Sequence, residues 1–345
     1  MVCAMYFKEI DPAGDPRDLA AVLPVIRAAA AGFVPGEVPP CGQQVRQWAG
    51  RQFRTTKVSI AAFAEPGEDG PADGAAVGVL IGNHSDHNPD LLGGWTFISP
   101  DAVGPRIAGG LMDSAADYCR ERGIKRLLIN TALNADAGRY GPQRGSTPSF
   151  VGDRWLLDLT ALDRTGLEAL SSPSPANAAY RIVHWVDSCP DELATAYCVA
   201  RAAMNDAPPV ADDLANPVYD SERMRAEEAS TIECGIRLQV TAAIGADGAI
   251  GGFSMTAVYP EQPELTEIWD TGVARDHRGR GLGLRIKAAA TLRLLHDHPG
   301  ARQLCTFTSV ENTWMIAVNR RIGYRPVGTW EMYVHELAGE DHPAA

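Results

Sequence analysis

The stretch Glu267-Ile-Trp-Asp-Thr-Gly-Val-Ala-Arg-Asp-His-Arg-Gly-Arg-Gly-Leu-Gly-Leu-Arg-Ile-Lys287 sets acids, arginines and glycines where they could do chemistry. It reads as a strand to Val273, then a basic glycine-rich loop, then the start of a helix. Backbone N–H groups at a helix start have no intrahelical acceptor, and they bind anions. Glycines at 279, 281 and 283 let backbone approach a phosphate where a side chain would block it. Arg278 and Arg280 add charge of the right sign. The loop is therefore predicted to cradle a phosphate or pyrophosphate. Two familiar loops are excluded: no Gly-Lys-Ser/Thr follows, as an NTPase loop requires, and the spacing is not Gly-x-Gly-x-x-Gly.

Arg278-x-x-Gly281-x-Gly283, five residues after Val273, resembles the acetyl-CoA signature Arg/Gln-x-x-Gly-x-Gly/Ala of the GNAT superfamily of N-acetyltransferases. Asn312-Thr-Trp-Met-Ile-Ala-Val-Asn-Arg-Arg-Ile-Gly-Tyr324 resembles that family's Asn-helix-Gly-Phe/Tyr segment. The likeness is specific over residues 180–337 and fainter over 5–165, and the whole is similar to tandem GNAT proteins. It implies acetyl-CoA as cofactor, lying between two strands that part near Val273. Its pantetheine would pair with backbone at Thr271, Gly272 and Val273. Its pyrophosphate would rest on Arg278, Gly279, Arg280, Gly281, Leu282, Gly283 and Leu284. The Val273 N–H would polarise the thioester carbonyl, and Asn312 and Asn319 would also face the cofactor.

The implied reaction is direct transfer of an acetyl group, in a ternary complex, to a primary amine of a small molecule such as an antibiotic, amino sugar or related metabolite. The attacking amine must lose a proton, so a carboxylate is needed nearby. Glu267 is the first candidate base, at a position the family's strand bulge brings into use, and Asp270 is the second; Trp269 between them reads as core. Many family members carry a tyrosine that returns a proton to the leaving thiolate, but Asn319 stands at that position here. The general acid is thus unassigned: Tyr324 and Tyr333 are nearby in sequence, but Tyr324 occupies the aromatic packing position. The alternative is a CoA-binding sensor or scaffold without transfer, or a GNAT-like acyl decarboxylase.

The elements that must position these residues occur twice. Met5–Asp11 leading into Pro16–Ala29 is matched by Tyr180–Asp187 leading into Pro190–Ala203, and the two helical segments align without a gap at an offset of 174. In each, Pro-x-acid-Leu opens a helix, where proline is tolerated and acids favour the positive end. Strands are predicted at 58–63, 76–81, 238–244 and 249–257, helices at 105–122 and 281–297, and further strands at 126–131, 303–308 and 325–336. The expected fold is α/β (α+β): two tandem domains at 1–170 and 180–345, each a central mixed, mostly antiparallel twisted sheet flanked by helices. The Ser/Pro-rich residues 171–179 read as an extended, unpacked linker.

In the first copy, Val103, Arg106 and Ala108 stand where Arg278, Gly281 and Gly283 stand in the second. A bulky side chain at 106 would intrude on a phosphate, so the first copy is expected to be degenerate, unless Gly109-Gly110 forms a shifted cradle. Asn134 to Ser149 reads as a loop in place of the Asn…Gly-Tyr helix.

Composition agrees. The chain has 345 residues, long enough for two cores. Its net charge is −12, with −4 over 1–177 and −8 over 178–345. An acidic surface argues against nucleic acid as a partner and would steer a cationic amine. No apolar run suffices for a membrane span, no secretory signal is evident, and a monomer or homodimer in the cytoplasm is expected. Seven scattered cysteines and eight histidines suggest neither a disulfide framework nor a metal site. His277 is expected to be a solvated loop residue, His296 and His298 to end a helix as cations against its dipole, Cys305 to lie in the core, and Glu65-Pro-Gly-Glu-Asp-Gly70 to be a solvated hairpin loop.

Overall fold

The computed structural model describes residues 5–64, 75–102, 105–132 and 147–337. The expected hairpin loop at 65–70, Val103, Cys3 and most of the 134–149 loop fall outside these. The first copy supplies β1 (Met5–Ile10), α1 (Pro16–Phe33), α2 (Gly42–Ala49), β2 (Thr55–Ala64), β3 (Ala76–Ser85), β4 (Asn88–Ile98), α3 (Pro105–Glu121) and β5 (Arg126–Ala132). Next come β6 (Thr147–Asp158), α4 (Arg164–Ser171), β7 (Arg181–Val186), α5 (Asp191–Arg201) and α6 (Ser221–Glu233). The second copy continues with β8 (Arg237–Ile244), β9 (Ile250–Val258), β10 (Leu265–Val273), α7 (Leu282–Asp297), β11 (Gln303–Ser309), α8 (Thr313–Ile322) and β12 (Arg325–Glu336).

Two compact units result. One comprises Met1–Val151, Val210–Ala215 and Gly328–Ala345; the other comprises Gly152–Pro209 and Asn216–Val327. The first unit's strands run β1-β2-β3-β4-β5-β12 and the second's run β6-β11-β10-β9-β8-β7. Pairing is antiparallel except for β4 with β5 and β10 with β11, so each sheet is mixed and mostly antiparallel, as expected. The units are not the contiguous stretches 1–170 and 180–345. The strand that follows the fifth strand of each copy pairs in the other unit: β6 lies against β11 through Gly152–Asp158, and β12 lies against β5 through Trp330–Glu336.

Each sheet is covered on both faces. In the first unit, α3 packs on one face around Leu80, Leu92, Leu111 and Leu127, while α1 and α2 pack on the other around Val22, Ile26, Val45 and Val79. In the second, α7, α4 and α8 cover the face of Trp155, Ile268 and Leu304. Helices α5 and α6 cover the face of Tyr197, Met224, Phe253 and Met255. Each large apolar side chain so buried contributes about 1.5–3 kcal/mol. All nine residues of β9 are buried, as a central strand with both faces covered requires.

The expected linker is neither extended nor unpacked. Helix α4 reaches Ser171, and Asn177 is buried among turns. Arg285 of α7 donates to the carbonyls of Ser171, Asn177 and Tyr180 at 3.2, 2.7 and 3.1 Å. A guanidinium with several donors gathers these carbonyls, which outweighs the local preference of Ser and Pro for open chain.

Candidate active site

The parallel ladder between β10 and β11 ends at Glu267↔Cys305. The strands therefore part after Glu267, earlier than the expected Val273, and leave one edge of β10 unpaired by strand from Ile268 to Val273. The other edge pairs with β9, with a bulge between Ile268 and Asp270. Ala274 donates to the Gly251 carbonyl at 3.0 Å. In an antiparallel ladder hydrogen-bonded pairs alternate with non-bonded ones, so Val273, opposite Gly252, turns its N–H and C=O away from β9. A backbone donor thus faces the gap at Val273. Next to it, Thr271 bonds Ser254, oxygen to oxygen at 3.0 Å, and Gly272 packs on Phe253.

After Val273 the chain makes a single 3-10 turn, Arg275–His277, and enters the glycine loop. Gly279 has φ 74° and Gly281, the N-cap of α7, has φ 72° and ψ 14°. These left-handed conformations suit glycine and few other residues. A Cβ at Gly279 would meet nothing within 4 Å, and one at Gly281 only the Asn177 amide nitrogen at 3.7 Å, so both glycines border open space. No amide from Gly279 to Leu284 donates to an acceptor among the described residues, whereas Asn177 donates to the Arg280 carbonyl at 3.0 Å and pins the loop. A concave run of free N–H groups at a helix N-terminus is the arrangement an anion needs.

The two loop arginines are engaged by the protein itself. Arg278 donates from Nε to the Val273 carbonyl at 3.0 Å and from Nη2 to Asp206 at 2.6 Å; Arg275 donates to the same carboxylate at 2.7 Å. These two partners, Arg275 foremost, hold the Asp206 carboxyl below the usual carboxylate range. Arg280 donates to the Tyr180 hydroxyl at 2.9 Å, and that hydroxyl bonds His277 Nδ1 at 2.7 Å. His277 is therefore no free solvated residue. It packs edge-on to the Tyr180 ring, which brings the loop against the start of the second copy.

The bulge turns Glu267, Trp269 and Asp270 toward the α5 and α6 face. Both Glu267 oxygens are occupied: Arg154 of β6 donates to Oε1 at 2.5 Å, and Tyr259 to Oε2 at 2.8 Å. Trp269 donates to that Oε2 at 3.3 Å and packs against the α5 and α6 core. The Tyr259 hydroxyl stays protonated, its pKa raised by burial and by the Glu267 charge. Asp270 differs. Its nearest cation, Arg201 of α5, is 3.9 Å away and lies closer to Glu227, at 2.6 Å. Burial raises the Asp270 carboxyl above its ordinary value, and Arg201 only partly offsets this. Tyr219 stands under the Arg201 guanidinium, 4.7 Å from the ring centroid, with its phenol pushed up to about 12 by burial.

The two asparagines are placed differently from expectation. The Asn312 side chain caps α8, accepting from the Met315 amide at 3.1 Å, which is the ordinary use of that residue type at a helix start. Asn319 is fully buried; it accepts from Lys287 Nζ at 2.6 Å and donates to the Thr308 hydroxyl at 3.2 Å. Lys287 is buried with it, 4.8 Å from the Tyr324 ring centroid, and burial lowers its pKa to about 7.

Cys305 lies in the core as expected, although Arg154 of β6 donates to its sulfur at 2.8 Å. His298 caps α7 and contacts Gln239, but burial lowers its pKa, so it is not the cation expected there. Tyr333 lies on the β12 segment of the first unit and bonds Glu331. Gly109 and Gly110 stand inside α3, and a Cβ at Gly110 would overlap the Phe7 ring at 2.0 Å. Gly110 serves close helix–strand packing, and the pair, lying within the helix, forms no shifted cradle. Arg106 is an exposed residue of the first turn of α3.

Sequence reasoning did not find Asp206, Arg154, Tyr259, Arg201 or Tyr219. No local motif marks them; they reach the site from other elements. Among the described residues, no cluster of side chains could hold a metal ion, and no helix is long and apolar enough to cross a membrane.

Residues 211–324 match the acetyltransferase (GNAT) family. No curated protein matches the sequence. Among solved structures, a tandem GNAT protein from the clavulanic acid biosynthesis pathway, solved without acetyl-CoA, is 22% identical, with a TM-score of 0.77 over 98% of this chain and 100% of that one. A GCN5-related N-acetyltransferase from Sphaerobacter thermophilus is 18% identical, with a TM-score of 0.63 over 97% and 96%. A putative acetyltransferase from Pyrococcus horikoshii is 11% identical, with a TM-score of 0.53 over 96% and 89%. The glycine loop, the parted strands and these likenesses agree: residues 211–324 match the acetyltransferase (GNAT) family, and the whole chain has the fold of a tandem GNAT protein.

Proposed function

We propose that the second unit is an acetyl-CoA-dependent N-acetyltransferase that acts on a primary amine of a small molecule by direct transfer in a ternary complex. The observation that carries this reading is the run of unbonded amides from Gly279 to Leu284, reached from a strand whose neighbour has parted from it. These amides would take the pyrophosphate. The free edge of β10 at Thr271, Gly272 and Val273 would take the pantetheine. When bound, acetyl-CoA supplies an activated acyl carbon. The Val273 N–H, directed into the gap, would stabilise charge on the carbonyl oxygen.

Asp270 is the better base of the two carboxylates. A carboxyl raised by burial is closer to the working pH, while Glu267 is fully engaged with Arg154 and Tyr259. Glu267 would then position Trp269 and the bulge.

Calorimetric titration with CoA, followed by release of free CoA thiol with a panel of small amines, tests the reading. Binding near micromolar and amine-dependent release are expected. No binding removes the cradle assignment; binding without release for any amine supports the sensor reading, which the asparagine at position 319 favours.

A further inference from the structure

Lys287, Asn319 and Thr308 form a buried polar line that the mechanism so far does not use. Lys287 is 1% exposed, yet no carboxylate pairs with it among the described residues. Lys287 Nζ donates to the Asn319 oxygen, and the amide nitrogen faces Thr308 Oγ1. That bond fills an acceptor site on the hydroxyl and leaves its hydrogen free; among the described residues nothing accepts it. Thr308 stands three residues past Cys305, where β11 last pairs with β10, and so belongs to the wall of the gap.

We propose that the Thr308 hydroxyl donates a hydrogen bond to the departing thiolate sulfur, and that Lys287, acting through Asn319, is the positioning residue that aims it. The proposal rests on the acetyl-CoA reading above. In the step it serves, the amine nitrogen bonds to the acyl carbon, the carbon–sulfur bond breaks with its electron pair left on sulfur, and the proton of the amine goes to Asp270. Thr308 keeps its own proton throughout, and Lys287 holds the Asn319 oxygen at the far end of the line. A hydroxyl thus stands in for the phenol that Asn319 replaces, from a neighbouring strand.

The test reads the sulfur directly. The ultraviolet absorbance of the thiolate gives the pKa of CoA bound to the full chain, and desulfo-CoA, which lacks the thiol, gives binding without it. The expected result is a bound thiol pKa below that of free CoA, raised by about one unit, or tenfold in thiolate fraction, in Thr308→Val. Desulfo-CoA affinity should be unchanged in that variant, and Thr308→Ser should restore the lower value. Lys287→Met should match Thr308→Val. An unchanged bound pKa in Thr308→Val, with CoA still bound, overturns this proposal alone. Failure of the wild type to bind both CoA and desulfo-CoA overturns it together with the acetyl-CoA reading.

Discussion

Asp206 Oδ2 lies 2.6 Å from Arg278 Nη2, so the arginine of the glycine-loop signature is held by an acid from a turn more than seventy residues earlier in the chain. The same acid holds Arg275. Its negative charge lowers the positive potential at the cradle and fixes Arg278 against the Val273 carbonyl. Asp206→Asn should tighten CoA binding by about two- to fivefold at low salt, and the gain should vanish near 1 M salt, where the screening length is about 3 Å. Calorimetry at the two salt concentrations checks this; an equal gain at both would mean that charge is not the cause.

Gly281 caps α7 in a left-handed conformation beside open space. Gly281→Ala should lower stability by about 1 kcal/mol, through backbone strain alone. Gly281→Arg should add a side chain over the free amides and abolish CoA binding while the chain stays folded. Circular dichroism melting and titration separate the two effects. Arg106→Gly in the first unit should leave CoA affinity unchanged, and a loss there would place a second cofactor in that unit.

For Asp270 the sign of the pH effect follows from its raised pKa. Only the deprotonated carboxylate accepts a proton, so kcat/KM should rise with pH through a value above the ~3.9 of a free aspartate. Asp270→Asn should remove that limb and reduce kcat by about 10²- to 10⁴-fold. A raised folded pKa also means that the folded state binds this proton more tightly than the unfolded chain, so stability falls as pH rises through it. The Asn variant should therefore melt no lower than wild type near neutral pH.

In α3, Gly110 lies against the Phe7 ring with no room for a methyl group. Gly110→Ala should destabilise the first unit by about 1–3 kcal/mol without changing CoA affinity. Thermal unfolding alongside titration would show it, and a parallel loss of affinity would count against the assignment of the cofactor to the second unit.

What was legible in the sequence was local. The run from Val273 to Leu284 carries its own geometry, because glycines at 279 and 281 are needed for positive φ and Leu282, Ile286 and Ala290 recur at helical spacing. The bounds of β12 were read as they stand, from a run between Gly323 and the C-terminal residues. What was not legible was contact between elements. Arg154 meets Glu267 across 113 positions of sequence, and Asp206 reaches Arg278 across 72. Asn312 was read for its resemblance, yet its side chain serves the nearest backbone amide. The pairing of β6 and β12 depends on which sheet edge each strand finds, and neither strand's residues name that edge.

This exchange of last strands has a consequence for biosynthesis. The sheet of the first unit lacks its closing strand until residues 330–336 have left the ribosome. An edge of β5 must stay unpaired while some two hundred further residues are made, and a gene cut at residue 170 would leave it so permanently. Neither copy, expressed alone, would carry the full set of strands that its unit uses here. The duplication visible in the chain is therefore not a pair of separable modules: its two copies now reach maturity together or not at all.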